Sequence, residues 1–128
     1  MRILLDTHLL LWAMAASRKL PRTVKTQLLA STNEIYYSAA SLWEIAIKQG
    51  LGRKDFKIDI DALMAALPAS GFIELPITAL HATGVAQLPA IHKDPFDRLL
   101  VAQSMAEPMT LLTNDAVLGG YWDGVKVV

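Results

Sequence analysis

Short uninterrupted apolar runs alternate along this chain with longer stretches whose apolar residues recur every three or four positions. Arg2-Ile3-Leu4-Leu5 is the first such run, and it stops abruptly at Asp6, as a strand buried on both faces does. Asp6-Thr7 then supplies a cap for a helix reaching about Ala16, with Leu9, Leu10, Trp12 and Met14 as its apolar bulk. Pro21 suits a first helical position ahead of Val24, Leu28 and Leu29. Ile35-Tyr36-Tyr37, β-branched and aromatic, predicts a second strand. Ser38 opens a helix from Ala39 to about Gln49, with Gly50 and Gly52 as stop signals. Arg53 to Lys57 reads as a charged loop, Ile60 to Leu67 as a helix, and Pro68 to Gly71 as its break. Phe72 to Leu75 is a third strand ended by Pro76, and Thr78 caps a helix through Leu88. After a loop, Asp94-Pro95 forms the cap and first turn of a helix to about Ala106. Met109 to Thr113 is a fourth strand, Asp115 to Leu118 a short helical turn, and Val125 to Val128 a candidate fifth strand. Strands this short and apolar do not suit a half-wet sheet. The pattern predicts an α/β fold in one domain over residues 1–128, with a mostly parallel sheet of four or five strands covered by helices on both faces.

Composition narrows the function classes. With 128 residues, 53% of them hydrophobic and only 19% charged, the chain can bury a real core and is not a disordered segment. It has no cysteine, hence no disulfide frame and no thiolate metal site, which suits a cytoplasmic protein. Asp6 and His8 interrupt the apolar start that a secretory signal needs. No run approaches the roughly 20 apolar residues of a membrane span. Twelve Lys+Arg balance twelve Asp+Glu, so there is no global attraction to a polyanion. The charges are uneven, however: residues 1–64 carry nine Lys/Arg and six Asp/Glu, residues 65–128 three and six.

Ligands of open α/β sheets bind outside the carboxyl ends of the strands. Four acids fall near such places: Asp6 after the first strand, Glu44 on the helix after the second, Asp97 at the start of a late helix, and Asp115 after the fourth strand. Each also has a purely structural use. Asp6 and Asp115 can cap helices, Asp97 and Asp94 favour the positive end of a helix dipole, and Glu44 can pair with Lys48 one turn on. Gathered in one cleft, the four would repel by about 4 kcal/mol per pair at 4 Å and an effective dielectric of 20. Such a group needs protons or a cation, and oxygen donors without thiolate favour Mg²⁺ or Mn²⁺ over zinc. The chemistry implied is metal-assisted hydrolysis of a phosphate ester.

Four segments carry a more specific signal: Met1-Arg2-Ile3-Leu4-Leu5-Asp6-Thr7-His8, Ser38-Ala39-Ala40-Ser41-Leu42-Trp43-Glu44-Ile45-Ala46-Ile47-Lys48, Asp94-Pro95-Phe96-Asp97-Arg98-Leu99-Leu100-Val101-Ala102-Gln103, and Leu111-Leu112-Thr113-Asn114-Asp115. In order and spacing they resemble the PIN-domain family, and within it the VapC-type toxins of bacterial toxin–antitoxin pairs. The Trp-Glu-Ile helix and the Asp-Pro-Phe-Asp-Arg segment are the most specific parts. The resemblance implies a three-layer α/β/α sandwich and a Mg²⁺- or Mn²⁺-dependent endoribonuclease. It also implies a small cognate antitoxin that occupies the active cleft. It places the family's acidic set on Asp6, Glu44, Asp97 and Asp115, with Asp6, Glu44 and Asp97 holding one metal that orients water for attack on an RNA phosphodiester. Asp115 then lies on the outer side, as a ligand of a second metal or of its waters should two ions rather than one be used, with Thr7, Thr113 and Asn114 in support and Asp94 as a cap.

Other residues are weaker candidates. Arg18, Lys19, Arg22 and Lys25 form a basic stretch that is the best place for RNA backbone contact, and Arg98 could pair with a carboxylate or reach a phosphate. Of the three histidines, none has a zinc spacing and only His8 falls near the predicted site. Trp12 and Trp43 read as core or dimer packing rather than base-stacking platforms. A mean hydropathy of +0.35 is high for so small a domain and predicts an apolar patch covered in a homodimer. Two rival readings remain. A phosphohydrolase of the haloacid-dehalogenase kind needs a second acid two residues after Asp6, where His8 stands. A non-cleaving RNA- or partner-binding module would lose acids of the cluster, and none is lost.

Overall fold

A computed structural model describes the backbone of residues 1–128 and every side chain but that of Asp55. Five strands form one sheet: β1 (Arg2–Leu5), β2 (Glu34–Ser38), β3 (Ile73–Leu75), β4 (Thr110–Thr113) and β5 (Val125–Val127). Their order is β3-β2-β1-β4-β5 and every pairing is parallel. Six helices connect them: α1 (Thr7–Met14), α2 (Arg22–Leu29), α3 (Ala39–Gly50), α4 (Ile60–Ala69), α5 (Ala79–Gly84) and α6 (Pro95–Ala106).

The pleat divides the core in two. Ile3 and Leu5 point to one face, where they meet Leu9 and Leu10 of α1, Val24 of α2, Ile45 of α3, and Leu63 and Leu67 of α4. Leu4 and Leu111 point to the other, against Leu99, Leu100 and Val101 of α6. Both faces are therefore covered, giving an α/β/α sandwich whose central strands carry apolar residues without alternation. Chain order runs outward from β1 through β2 to β3 on one side and through β4 to β5 on the other. The reversal point of the sheet thus lies between β1 and β4, and a crevice opens there at the carboxyl ends of the strands.

Several element boundaries differ from the sequence reading. Pro21 precedes α2 as its cap rather than starting it, and Gly50 belongs to the last turn of α3. Pro68 sits inside α4, which continues to Ala69. Near a helix end a proline forfeits little, because tertiary packing of Leu63 and Leu67 holds the segment. The helix expected from Thr78 to Leu88 is shorter, ending at Gly84 and continuing as a 3-10 turn over Val85–Gln87. The stretch read as a charged loop contains a 3-10 turn, Lys54–Phe56, and its Phe56 ring is fully buried. Four charges around one aromatic hid a core residue.

Candidate functional site

Asp6 immediately follows β1, and its main-chain N–H donates to the Leu112 carbonyl of β4 at 3.0 Å, extending the β1–β4 pairing by one residue. Its side chain caps α1: Oδ1 accepts the Leu9 N–H at 2.8 Å. Oδ2 faces the other way and accepts the Thr113 hydroxyl at 2.6 Å and the Asn114 N–H at 3.2 Å. Cap and site residue are therefore the same group, since a carboxylate has lone pairs to spare after one cap bond. Burial pushes the Asp6 carboxyl above its usual range, against the opposing pull of those three hydrogen bonds and of His8.

Glu44 is buried on α3, and the two uses foreseen for it coexist. Oε1 accepts the Thr7 hydroxyl at 2.6 Å, and Thr7 Oγ1 also stands 2.9 Å from Ser41 Oγ. Oε2 accepts from Lys48 Nζ at 2.5 Å, the i,i+4 pair. The Lys48 ammonium in turn lies 5.1 Å from the centre of the Phe56 ring, which is buried as part of the first core cluster.

At the start of α6, Asp94 caps the helix by accepting the N–H groups of Phe96 and Asp97. That frees Asp97 to turn toward the cleft. Its carboxyl is pushed up to about 7, first by burial and then by the negative charges of Asp94, Glu44 and Asp6, with His92 pulling the other way. Asp115, after β4, caps the following 3-10 turn through Oδ1, which accepts the Val117 N–H at 3.0 Å. Its own N–H donates to Thr113 Oγ1 at 3.0 Å, so the Thr113 hydroxyl ties Asp6 to Asp115.

Asp6, Asp97 and Asp115 line one cleft of about 1110 Å³, with His8, Trp12 and Lys19 farther along it. Glu44 is near enough to Asp97 to raise its pKa. Strand ends bring these acids together; no two are closer than 18 residues in the chain. Asp97 has the least hydrogen-bond support of the four, and its carboxyl, like that of Asp6, is disfavoured as an anion. A divalent cation relieves that repulsion, and an all-oxygen set of Asp6, Glu44 and Asp97 suits Mg²⁺ or Mn²⁺.

Not every candidate turns to the cleft. The Asn114 side chain donates to the Val128 carbonyl, so its contribution is the main-chain N–H on Asp6. Of the basic stretch, Lys19 lines the cleft, while Arg18, Arg22 and Lys25 are exposed. Arg98 does not line the cleft. Its Nη1 donates to the carbonyls of Pro89 and His92 and to the Tyr121 hydroxyl and its Nη2 to the Val85 carbonyl, which holds the loop before α6. Trp12 packs against the first core cluster and lines the cleft as well, and Trp43 is 55% exposed with Phe96 edge-on at 5.1 Å. The largest omission is His92, which stands between Asp97 and Asp115, with Nε2 2.8 Å from Asp115 Oδ2 and 3.6 Å from Asp97 Oδ2. A histidine two residues before a helix cap was the available signal, because its ring can accept the cap residue's N–H.

A parallel sheet with carboxylates converging at its point of reversed strand order defines an α/β protein with a metal-competent acidic cleft. The PIN domain family model matches residues 3–119, and the chain belongs to that family. Its fold is similar to that of three solved structures. A VapBC2 structure from Rickettsia felis, bound to a DNA fragment from the promoter, matches at TM-score 0.70 and 20% identity, over 100% of this chain and 98% of the other. A toxin–antitoxin complex from Klebsiella pneumoniae matches at 0.63 and 16%, over 98% and 96%. FitAcB from Neisseria gonorrhoeae matches at 0.53 and 20%, over 91% and 89%. No curated protein matches the chain.

Proposed function

We propose that this chain is a divalent-metal-dependent endoribonuclease, hydrolysing RNA phosphodiester bonds as the VapC-type toxin of a toxin–antitoxin pair. The observation that carries the reading is the convergence of Asp6, Asp97 and Asp115 on one cleft at the sheet's carboxyl edge, where the Asp97 carboxyl is pushed up to about 7, first by burial and then by the charges of Asp94, Glu44 and Asp6. Asp6, Glu44 and Asp97 hold the ion, Mg²⁺ or Mn²⁺, and Asp115 stands on its outer side. When bound, such an ion polarises a phosphoryl oxygen and lowers the pKa of its water. The chain's own part is to hold the donors still. Thr113 orients Asp6, Thr7 orients Glu44, and the Asp94 cap fixes the first turn of α6 that carries Asp97. Lys48 balances one of the negative charges within the cluster. Lys19 offers an RNA phosphate a positive contact along the cleft.

Two partners complete the proposal. The complexes that share this fold include toxin–antitoxin assemblies, which supports a small cognate antitoxin occupying the same cleft. Exposed Trp43 and Ile47 on α3, beside Phe96 of α6, supply an apolar patch for a homodimer. The domain acts in the cytoplasm; among the described residues no helix is long and apolar enough to cross a membrane.

The test is cleavage of a mixed RNA substrate by the purified chain with Mg²⁺, Mn²⁺ or EDTA. The parent cuts only with metal, and Asp6→Asn and Asp97→Asn lose cutting while keeping a native circular dichroism spectrum. Cutting by both variants at the parental rate refutes the assignment.

A further inference from the structure

We propose that His92 fills the place between Asp97 and Asp115 that a second divalent ion would need, so that the cleft holds one ion and Asp115 is positioned by the histidine rather than by metal. The inference rests on the metal-dependent reading above and refines it.

The ring is fixed on three sides. Nδ1 accepts the Asp94 N–H at 3.0 Å, which puts the ring proton of the neutral imidazole on Nε2. The His92 main-chain N–H donates to the Tyr121 hydroxyl at 2.8 Å, and its carbonyl accepts from Arg98 at 3.4 Å. Arg98 also donates to that Tyr121 hydroxyl at 3.2 Å, so one guanidinium braces both ends of the arrangement. The Nε2–H then points at Asp115 Oδ2, 2.8 Å away, with Asp97 Oδ2 at 3.6 Å.

Two consequences follow from the hydrogen-bond count. First, His92 cannot ligate through Nε2 while keeping its bond to Asp94. A metal on Nε2 needs the lone pair there and moves the proton to Nδ1, where it would face the Asp94 N–H. Although His92, Asp97 and Asp115 present donor atoms within 4.8 Å of one another, they form a hydrogen-bonded trio rather than a ligand set. Second, an ion bridging Asp97 and Asp115 would sit about 2.1 Å from an oxygen of each. That point is next to the Nε2 proton, a positive group facing a cation. Asp115 has its Oδ1 in the cap bond to Val117 and its Oδ2 in the bond to His92. On the opposite side of the cluster the donors to Asp6 are Leu9, Thr113 and Asn114 and those to Glu44 are Thr7 and Lys48, each engaging one carboxylate, whereas the His92 Nε2 stands between two.

The experiment is Mn²⁺ stoichiometry by electron paramagnetic resonance of the free ion, confirmed by calorimetry, on the purified chain and two variants. His92→Ala removes the ring, and His92→Gln keeps an N–H donor near the Nε2 position. Thermal melts confirm that each is folded. The parent and His92→Gln bind one Mn²⁺ per chain, and His92→Ala binds two. Asp97→Asn in the same titration binds none. Two ions in the parent, or one ion in a folded His92→Ala, overturns the role of His92 and leaves the metal-dependent reading standing. No ion in the parent overturns that reading, and this inference with it.

Discussion

Replacing Asp97 by Asn should make the metal-free protein more stable while removing its proposed activity. In the folded chain this carboxyl titrates at about 7 rather than its ordinary 3.8. Between those values the folded state holds a proton that the unfolded state has released. Stability is therefore greatest below the lower value and is lost as pH rises through the upper one. About three pH units at 1.36 kcal/mol each set a ceiling of about 4 kcal/mol. The Asp97 side chain is 21% exposed, so solvent screens part of the repulsion, and an Asn amide must still be buried. A gain of about 2 kcal/mol, or roughly 8 °C in Tm, is the expected effect in EDTA at about pH 8. At about pH 5 the parent's folded-state Asp97 is neutral and the gap between the two melting curves should narrow, closing only below about pH 4, where the unfolded carboxyl is protonated as well. Asp6, whose pKa moves in the same direction, contributes to any slope left in the Asn variant. Mn²⁺ should raise the Tm of the parent and leave that of the variant unchanged. The measurement is differential scanning calorimetry across pH with and without metal. A parent that grows more stable with rising pH in EDTA, or an Asn variant less stable than the parent at the alkaline end, refutes the account of the cluster.

Three further substitutions test the surroundings. Phe56→Ala removes a fully buried ring and should cost about 3–5 kcal/mol in urea unfolding; a loss below about 1 kcal/mol would mean that the 3-10 turn is not core. Thr113→Val deletes the donor to Asp6 Oδ2 and the acceptor of the Asp115 N–H, and should weaken Mn²⁺ binding in calorimetry by at least about tenfold, with a stability loss of about 1–3 kcal/mol. A Cβ at Gly124 would lie 2.1 Å from Cζ2 of Trp122, so Gly124→Ala should displace the indole, break its bond to Ser104 and lower stability by about 1–3 kcal/mol, read as altered tryptophan fluorescence and a lower Tm.

Much of this molecule was legible in the order of its residues. The apolar runs at Ile3–Leu5 and Leu111–Leu112 announce strands buried on both faces, and Asp94-Pro95 announces a helix start, because hydrophobic period and cap chemistry are local properties. The acids at Asp6, Glu44, Asp97 and Asp115 stood out for a related reason: each interrupts or adjoins an apolar stretch where a solvated charge has no obvious use.

What lies outside local pattern was decided by the tertiary structure. His92 looked like a loop residue because its partners, Asp115 and Tyr121, are more than 20 residues away. Arg98 looked available to a phosphate because the carbonyls of Val85 and Pro89 become its acceptors only when the loop folds back over α6. Phe56 looked exposed among charges until Lys48 and the first core closed around it. Sequence reports which groups could carry charge, cap a helix or enter a core. Which donor meets which acceptor depends on distances set by the packed sheet, and there a proton on one ring nitrogen separates a metal ligand from a group that holds its neighbour in place.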